Sequence, residues 1–287
     1  MKTYHSLIAG LVLVFLAPLF LSAQTDLITP AELSKKIKAK EKMTLISVRK
    51  ETDYKKAHLK NAVHVNLKKL VKEGEPKGLL KSPEAMASYF GSKGISGKGL
   101  IVIYDDGKMK YAGRAYWILK YLGAENVKIM HRDLTKWRSA RLLVTKAPTK
   151  IKPVTFDLNV NKNVFVDMSW VKSHLKDPKV VFIDVRPPDE FHGTSTKPVS
   201  KGHIPGAKNM EWKRVTRENG ELKSKSEIQS LADGLGATAD KTIILYCATS
   251  TRAGIVFFAF KNILGYPDVR VYEGAYNEWV MNNPTEK

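Results

Sequence analysis

The stretch Ile243-Ile244-Leu245-Tyr246-Cys247-Ala248-Thr249-Ser250-Thr251-Arg252-Ala253-Gly254 decides the fold. Its first four residues are a short continuous apolar run, the pattern of a strand buried on both faces. A polar loop, Cys247 to Arg252, follows it. Ala253 to Leu264, rich in Ala and Phe, then predicts a helix ended by Gly265. Val269-Arg270-Val271-Tyr272 predicts the next strand, and Val180-Val181-Phe182-Ile183-Asp184-Val185 an earlier one. Strand, helix and strand in this rhythm predict an α/β fold, a parallel sheet flanked by helices. In such folds the site lies at the carboxyl ends of the strands, where Cys247 stands.

The same rhythm occurs earlier in the chain. Leu100 to Tyr104 is a strand-like run, Ala112 to Leu122 a helical one, and Val127 to Met130 a second strand. At a shift of 142, Leu80-Lys81-Ser82 meets Leu222-Lys223-Ser224, Tyr104 meets Tyr246, Leu122-Gly123 meets Leu264-Gly265 and Trp137 meets Trp279. Upstream the shift changes: Ile46-Ser47-Val48-Arg49 meets Ile183-Asp184-Val185-Arg186 at 137, and Asn61-Ala62 meets Gly206-Ala207 at 145. Ordered matches with changing shifts predict two copies of one domain, with insertions in the loops. The expected division is a first domain over residues 24–145, a linker over 146–155 and a second domain over 156–287.

The 287 residues leave room for two domains, and 43% apolar content excludes wholesale disorder. The formal net charge is +20. Residues 24–150 carry +16 of it and residues 151–287 only +3. A basic surface suits anionic partners, and no aromatic-interleaved basic motif argues for nucleic acid. Lys2, the apolar run Leu7 to Leu21 and the small residues Ser22-Ala23 form a secretory leader pattern. Residues 1–23 are expected to be cleaved, giving an exported, periplasmic or extracellular protein without stable membrane insertion. A single cysteine excludes an internal disulfide framework and any multi-cysteine zinc site. The His residues show no ligand spacing around it, which speaks against a metal site.

A lone thiol kept in an exported chain is either buried and inert or held for chemistry. The strand-loop-helix setting favours chemistry. Unpaired amides at a helix start hold anions, and Arg252 adds a nearby cation, so the Cys247 thiolate is favoured.

On these residues the chain resembles the tandem-domain rhodaneses, the thiosulfate and mercaptopyruvate sulfurtransferases. In the second copy the matching stretches are Phe182-Ile183-Asp184-Val185-Arg186, Gly202-His203-Ile204-Pro205-Gly206-Ala207, the Cys247 to Arg252 loop, and Tyr272-Glu273-Gly274-Ala275 with Trp279. In the first they are Val102-Ile103-Tyr104-Asp105-Asp106-Gly107, Arg114-Ala115 and Leu122-Gly123. The resemblance implies two tandem rhodanese-like α/β domains with chemistry in the second only. Asp105 stands where Cys247 stands, and a carboxylate cannot carry a sulfane sulfur.

The implied activity moves a sulfane sulfur from a small anionic donor to a nucleophilic acceptor, cyanide or a thiol, through a Cys247 persulfide, and the resemblance implies no metal or organic cofactor. The amides of Ala248, Thr249, Ser250, Thr251 and Arg252 would bind donor and persulfide. Phosphatase relatives of the fold place five residues between Cys and Arg; here there are four, a smaller bowl suited to one sulfur. Mercaptopyruvate enzymes tend to carry Gly-Ser/Thr-Gly-Val-Thr after the Cys, whereas this loop ends in a cation, so thiosulfate is the donor expected first. Glu190 would repel an anionic donor if it faced the pocket. Arg186 and His203 are kept as candidate donor-binding residues. The first is weighed against a strand-end ion pair with Asp184, the second against a structural place in its Gly/Pro turn. Trp212 and Trp279 read as core or interface aromatics. Two other functions remain open: a sulfane-sulfur carrier or sensor that loads once for a protein partner, and a purely structural pair of domains.

Overall fold

The computed structural model describes residues 26–131, 134–197 and 199–287. The leader expected over residues 1–23 lies outside the described residues.

Two five-stranded sheets carry the chain. The first contains β1 (Leu27–Ile28), β2 (Met43–Ser47), β3 (Val63–His64), β4 (Leu100–Tyr104) and β5 (Val127–Met130), in the order β3-β2-β4-β5-β1. The second contains β6 (Phe165–Val166), β7 (Val180–Asp184), β8 (Lys208–Asn209), β9 (Thr242–Tyr246) and β10 (Val269–Tyr272), in the order β8-β7-β9-β10-β6. Every neighbouring pair in both sheets is parallel. The two orders are the same, and so is the register. Thr44 lies opposite Ile101 as Val181 lies opposite Ile243. Ile46 lies opposite Val63 as Ile183 lies opposite Lys208. These pairings reproduce the shifts of 137, 142 and 145 read from the sequence.

The central strands β4 and β9 explain their apolar runs. All five residues of β4 are buried, as are the last four of β9. The matched serines Ser82 and Ser224 are helix N-caps, accepting from the amides of Ala85 and Glu227. The segment Ala253–Phe258 is α-helical but continues as a π-helical turn over Ala259–Leu264 before Gly265. That differs from the single α-helix expected and reflects a residue inserted into the α ladder.

The domains share one continuous hydrophobic core. Its seam is the crossing of two equivalent helices, Lys110–Tyr121 and Ala253–Phe258, each leading away from its copy of the loop. They touch at Gly113 and Gly254. A Cβ on Gly113 would lie 2.6 Å from the Ile255 nitrogen, and one on Gly254 would lie 2.5 Å from the Arg114 nitrogen. Tyr116 packs edge-on against Phe258 beside this contact. Downstream of the Lys/Pro stretch the chain does not leave the first domain at once. The amides of Val154, Asp157, Asn159 and Asn161 donate to carbonyls of Gly91, Ser96, Leu122 and Tyr121. The second sheet's own elements begin after Asn161.

Candidate active site

Cys247 directly follows β9, at the carboxyl end of the sheet, and is fully buried. The Arg252 backbone N–H donates to its Sγ at 3.3 Å. The loop owes its shape to ties on its outer side. The carbonyls of Cys247 and Ala248 accept from the amides of Tyr276 and Asn277 at 2.9 and 3.1 Å. The Thr249 carbonyl accepts from Arg114 Nη1 at 2.6 Å. In a trans peptide C=O and N–H point opposite ways, so three carbonyls held outward turn the following three amides inward. Ser250 makes the sharp turn at φ 56°, and its buried hydroxyl donates to the carbonyls of Tyr272 and Glu273. The Tyr272-Glu273-Gly274-Ala275 match is therefore the loop's anchor. Of the loop residues singled out from sequence, Ser250 is spent on this anchoring, while Ala248, Thr249, Thr251 and Arg252 line the cavity above the sulfur.

That cavity holds about 400 Å³. The second domain also supplies Glu190, Lys197 and Arg186 to its walls, and the first domain supplies Lys110 and Tyr111. Arg252 forms a two-pronged ion pair with Glu190 at 3.0 and 2.9 Å, and Lys197 binds the same carboxylate. Burial opposes ionisation of Glu190, but hydrogen bonds from Arg252 and Lys197 outweigh it and hold its carboxyl down at about 2. Glu190 does face the cavity, yet as a neutralised partner. The bare Arg252 cation expected from sequence is a paired one, because burial of either charge alone is costly.

Arg186 lies beneath the cavity as a 1% exposed clamp on Asp184, with a second hydrogen bond to the Gly202 carbonyl at 2.7 Å. Its guanidinium also covers the Tyr276 ring at 3.6 Å. The ion-pair reading is the one its geometry fits. His203 does not line the cavity. It stacks on Phe191 at 3.7 Å, bonds the Phe191 carbonyl through Nδ1, and pairs backbone to backbone with Glu286. Phe191 holds the His203 ring and the His203 backbone holds the C-terminal segment, so the structure does not bring His203 to the cavity with the other candidate donor-binding residues. Trp279 is core, as expected, and Trp212 is partly exposed beside a second cleft.

Sequence reasoning missed the first domain's part. Besides the Thr249 carbonyl, Arg114 binds the Gly78 carbonyl at 3.2 Å, and the Leu80 amide donates to the Glu273 carboxylate. Burial lowers Arg114 to about 10, while the Cys247 sulfur and Glu273 pull the other way, so this cation lies within electrostatic reach of the thiol. One available signal was the shift of 142, which sets Lys110 against Arg252.

The first copy's loop shows what such a loop does with a negative charge. The Asp105 carboxylate accepts from the amides of Gly107 and Met109 through Oδ1 and of Tyr111 and Ala112 through Oδ2, at 2.9 to 3.2 Å. Four amides thus converge on one buried carboxylate and favour its charged form, while burial and Asp106 push its pKa above the usual carboxylate value. Among the described residues no cluster of His, Cys, Asp or Glu could hold a metal ion.

The model for the rhodanese-like domain matches this chain twice, over residues 29–140 and 167–282. The chain belongs to the rhodanese family. A 3-mercaptopyruvate sulfurtransferase from Escherichia coli is 30% identical, with 79% of this chain and 82% of the relative covered. A thiosulfate sulfurtransferase from Azotobacter vinelandii is 30% identical over 88% of this chain and 93% of its own. A sulfur carrier protein from Thermus thermophilus is 33% identical over 69% and 74%. The crystal structure of the Escherichia coli mercaptopyruvate enzyme superposes with a TM-score of 0.79 at 28% identity, covering 88% of this rhodanese and 98% of that chain.

Proposed function

We propose that this rhodanese is a sulfurtransferase that carries a sulfane sulfur on Cys247, from thiosulfate ahead of 3-mercaptopyruvate, to cyanide or a thiol. One observation carries the reading: the lone thiol accepts the Arg252 amide within a loop whose residues line a cavity edged by Lys110, Lys197 and Arg252. The Cys247 thiolate attacks the outer sulfur of the donor. The donor's S–S bond breaks and sulfite leaves with the electron pair. The loop amides stabilise the anion that remains, as four amides do for Asp105 in the first copy. With Arg186 paired to Asp184, Lys110, Lys197 and Arg252 against Glu190 leave an excess of positive charge, which suits a dianion such as thiosulfate. Asp105 cannot form a persulfide, so the first domain acts as scaffold and wall. Export rests on the leader pattern of residues 1–23. Mass spectrometry of the mature protein after thiosulfate should show one added sulfur, on Cys247. An unmodified Cys247 would overturn the reading, and a sulfur loaded once but not passed to cyanide would favour a carrier.

Two substitutions test the parts. Asp105→Ala leaves four amides without their acceptor, so stability should fall by about 2 kcal/mol or more. Its kcat/KM should stay within about twofold of wild type, the order of a small indirect effect. A large loss of rate with unchanged melting temperature would give the first copy a part in the chemistry.

Glu190→Gln breaks the pair with Arg252 and Lys197. With a folded value of about 2 against 4.5, ionised Glu190 stabilises the fold above the unfolded value, and this contribution is lost as pH falls from 4.5 to 2. The contribution is about 3 kcal/mol at neutral pH. Denaturant titrations should show the variant less stable by that order at pH 7 and nearly equal to wild type at pH 2. Equal stability at pH 7 would show the pair to be energetically idle.

A further inference from the structure

The sulfur pocket does not stand alone. A second cleft of about 700 Å³ opens between the first copy's loop and the segment Trp212 to Gly220 of the second domain. It shares two residues with the sulfur pocket, Lys110 and Tyr111. Its lining is basic. Lys50, Lys108 and Lys110 have no carboxylate partner among the described residues, while Lys213 and Arg217 are paired with Glu211 and Glu227. The Lys110 ammonium lies 4.4 Å from the Tyr111 ring centre, and Trp212 adds a second aromatic wall. Asp106 and Glu218 are the lining's two carboxylates.

We infer that this second cleft seats the sulfur acceptor, and that the acceptor is a small zwitterionic thiol with more than one carboxylate. The inference rests on the sulfurtransferase reading above. Three unpartnered ammonium groups suit carboxylates, and Asp106 and Glu218 suit an ammonium on the same ligand. The volume falls in the range of small-molecule sites, about 300–1,000 Å³, and fits a tripeptide. A pocket is favoured over a groove for an extended protein segment because the cleft is closed on one side. There the Gly220 backbone meets the Gly107 carbonyl so closely that a Cβ on Gly220 would lie 2.8 Å from it. The shared wall of Lys110 and Tyr111 puts a thiol held in the cleft next to the sulfur pocket. The acceptor sulfur attacks the outer sulfur of the Cys247 persulfide. A new S–S bond forms on the acceptor, the Cys247 S–S bond breaks, and its electron pair stays on Cys247 as thiolate. The acceptor's thiol proton ends on the transferred sulfur, so no outside oxidant or reductant is needed.

The test compares wild type with Lys50→Gln/Lys108→Gln/Lys213→Gln, three residues outside the sulfur pocket. Glutathione, 2-mercaptoethanol and cyanide serve as acceptors at fixed thiosulfate. The variant should raise KM for glutathione about tenfold, the order of 1.4 kcal/mol spread over three surface charges. Turnover with 2-mercaptoethanol and cyanide should stay within about twofold. S-methylglutathione, which has no thiol to react, should inhibit the glutathione reaction and spare the cyanide reaction. Its calorimetric titration should weaken about tenfold in the variant, which reads the cleft without turnover. Equal effects on all three acceptors, inhibition of the cyanide reaction, or unchanged titration would overturn the acceptor site. Absent cyanide turnover in wild type would instead overturn the sulfurtransferase reading, whatever the titration shows.

Discussion

Cys247→Ser abolishes sulfur transfer and leaves the fold intact. The chain has one cysteine, so no other group can hold the sulfur as a persulfide. The exchange is also gentle. Cys247 is fully buried, and a serine of similar size there meets the Arg252 amide as an acceptor in place of the sulfur. Turnover with thiosulfate and cyanide should fall by at least about a thousandfold, a barrier increase of about 4 kcal/mol. The melting temperature should move by only a few degrees, about 1 kcal/mol, because the serine oxygen keeps the Arg252 amide as its partner. Residual turnover above a few percent of wild type, in protein free of contaminating activity, would remove the persulfide from the mechanism.

The second large effect is expected far from the sulfur in sequence terms but next to it in the fold. Gly113→Val puts a branched side chain where a single Cβ already lies 2.6 Å from the Ile255 nitrogen and 2.7 Å from the Gly254 carbon. Both neighbours are backbone, so no rotamer change relieves the clash. Overpacking of this kind costs about 1–3 kcal/mol, and more where the helices cannot part. If they part, Arg114, the next residue, is drawn from the Thr249 carbonyl, and the loop over Cys247 loses an outer tie. Stability and kcat/KM should therefore fall together, the rate by about tenfold or more per folded molecule, which is about 1.4 kcal/mol of transition-state stabilisation. Gly113→Ala should show the same two effects at smaller size. An unchanged melting temperature for the valine variant would mean that the helices do not press together at this point.

Arg252 unites both themes. Its backbone amide reaches the sulfur, whereas its guanidinium is engaged by Glu190. The sequence-based expectation credited both the amide and an unpaired side-chain cation. The geometry divides the credit, because a backbone donor survives substitution and a paired cation is partly cancelled.

The local patterns along the chain were enough for the architecture. Apolar runs at β4 and β9 and shifted matches between the halves, Ser82 with Ser224 among them, report covalent neighbours, so they are legible without folding. The loop from Cys247 to Arg252 was legible for the same reason: strand, loop and helix are consecutive in the chain. What tertiary structure decided are the long-range partners. Glu190 meets Arg252 across 62 residues, and Arg114 meets the Thr249 carbonyl across 135. His203 turned to Phe191 and the C-terminal segment rather than to the cavity, since its ring found a stacking partner and a carbonyl there. The walls given by Lys110 and Tyr111 exist only because two glycines let the helices behind them touch. Periodicity fixes which face of an element is apolar, but not which distant side chain will neutralise a buried charge. That is settled by packing, where every buried ion must find a partner within hydrogen-bonding distance.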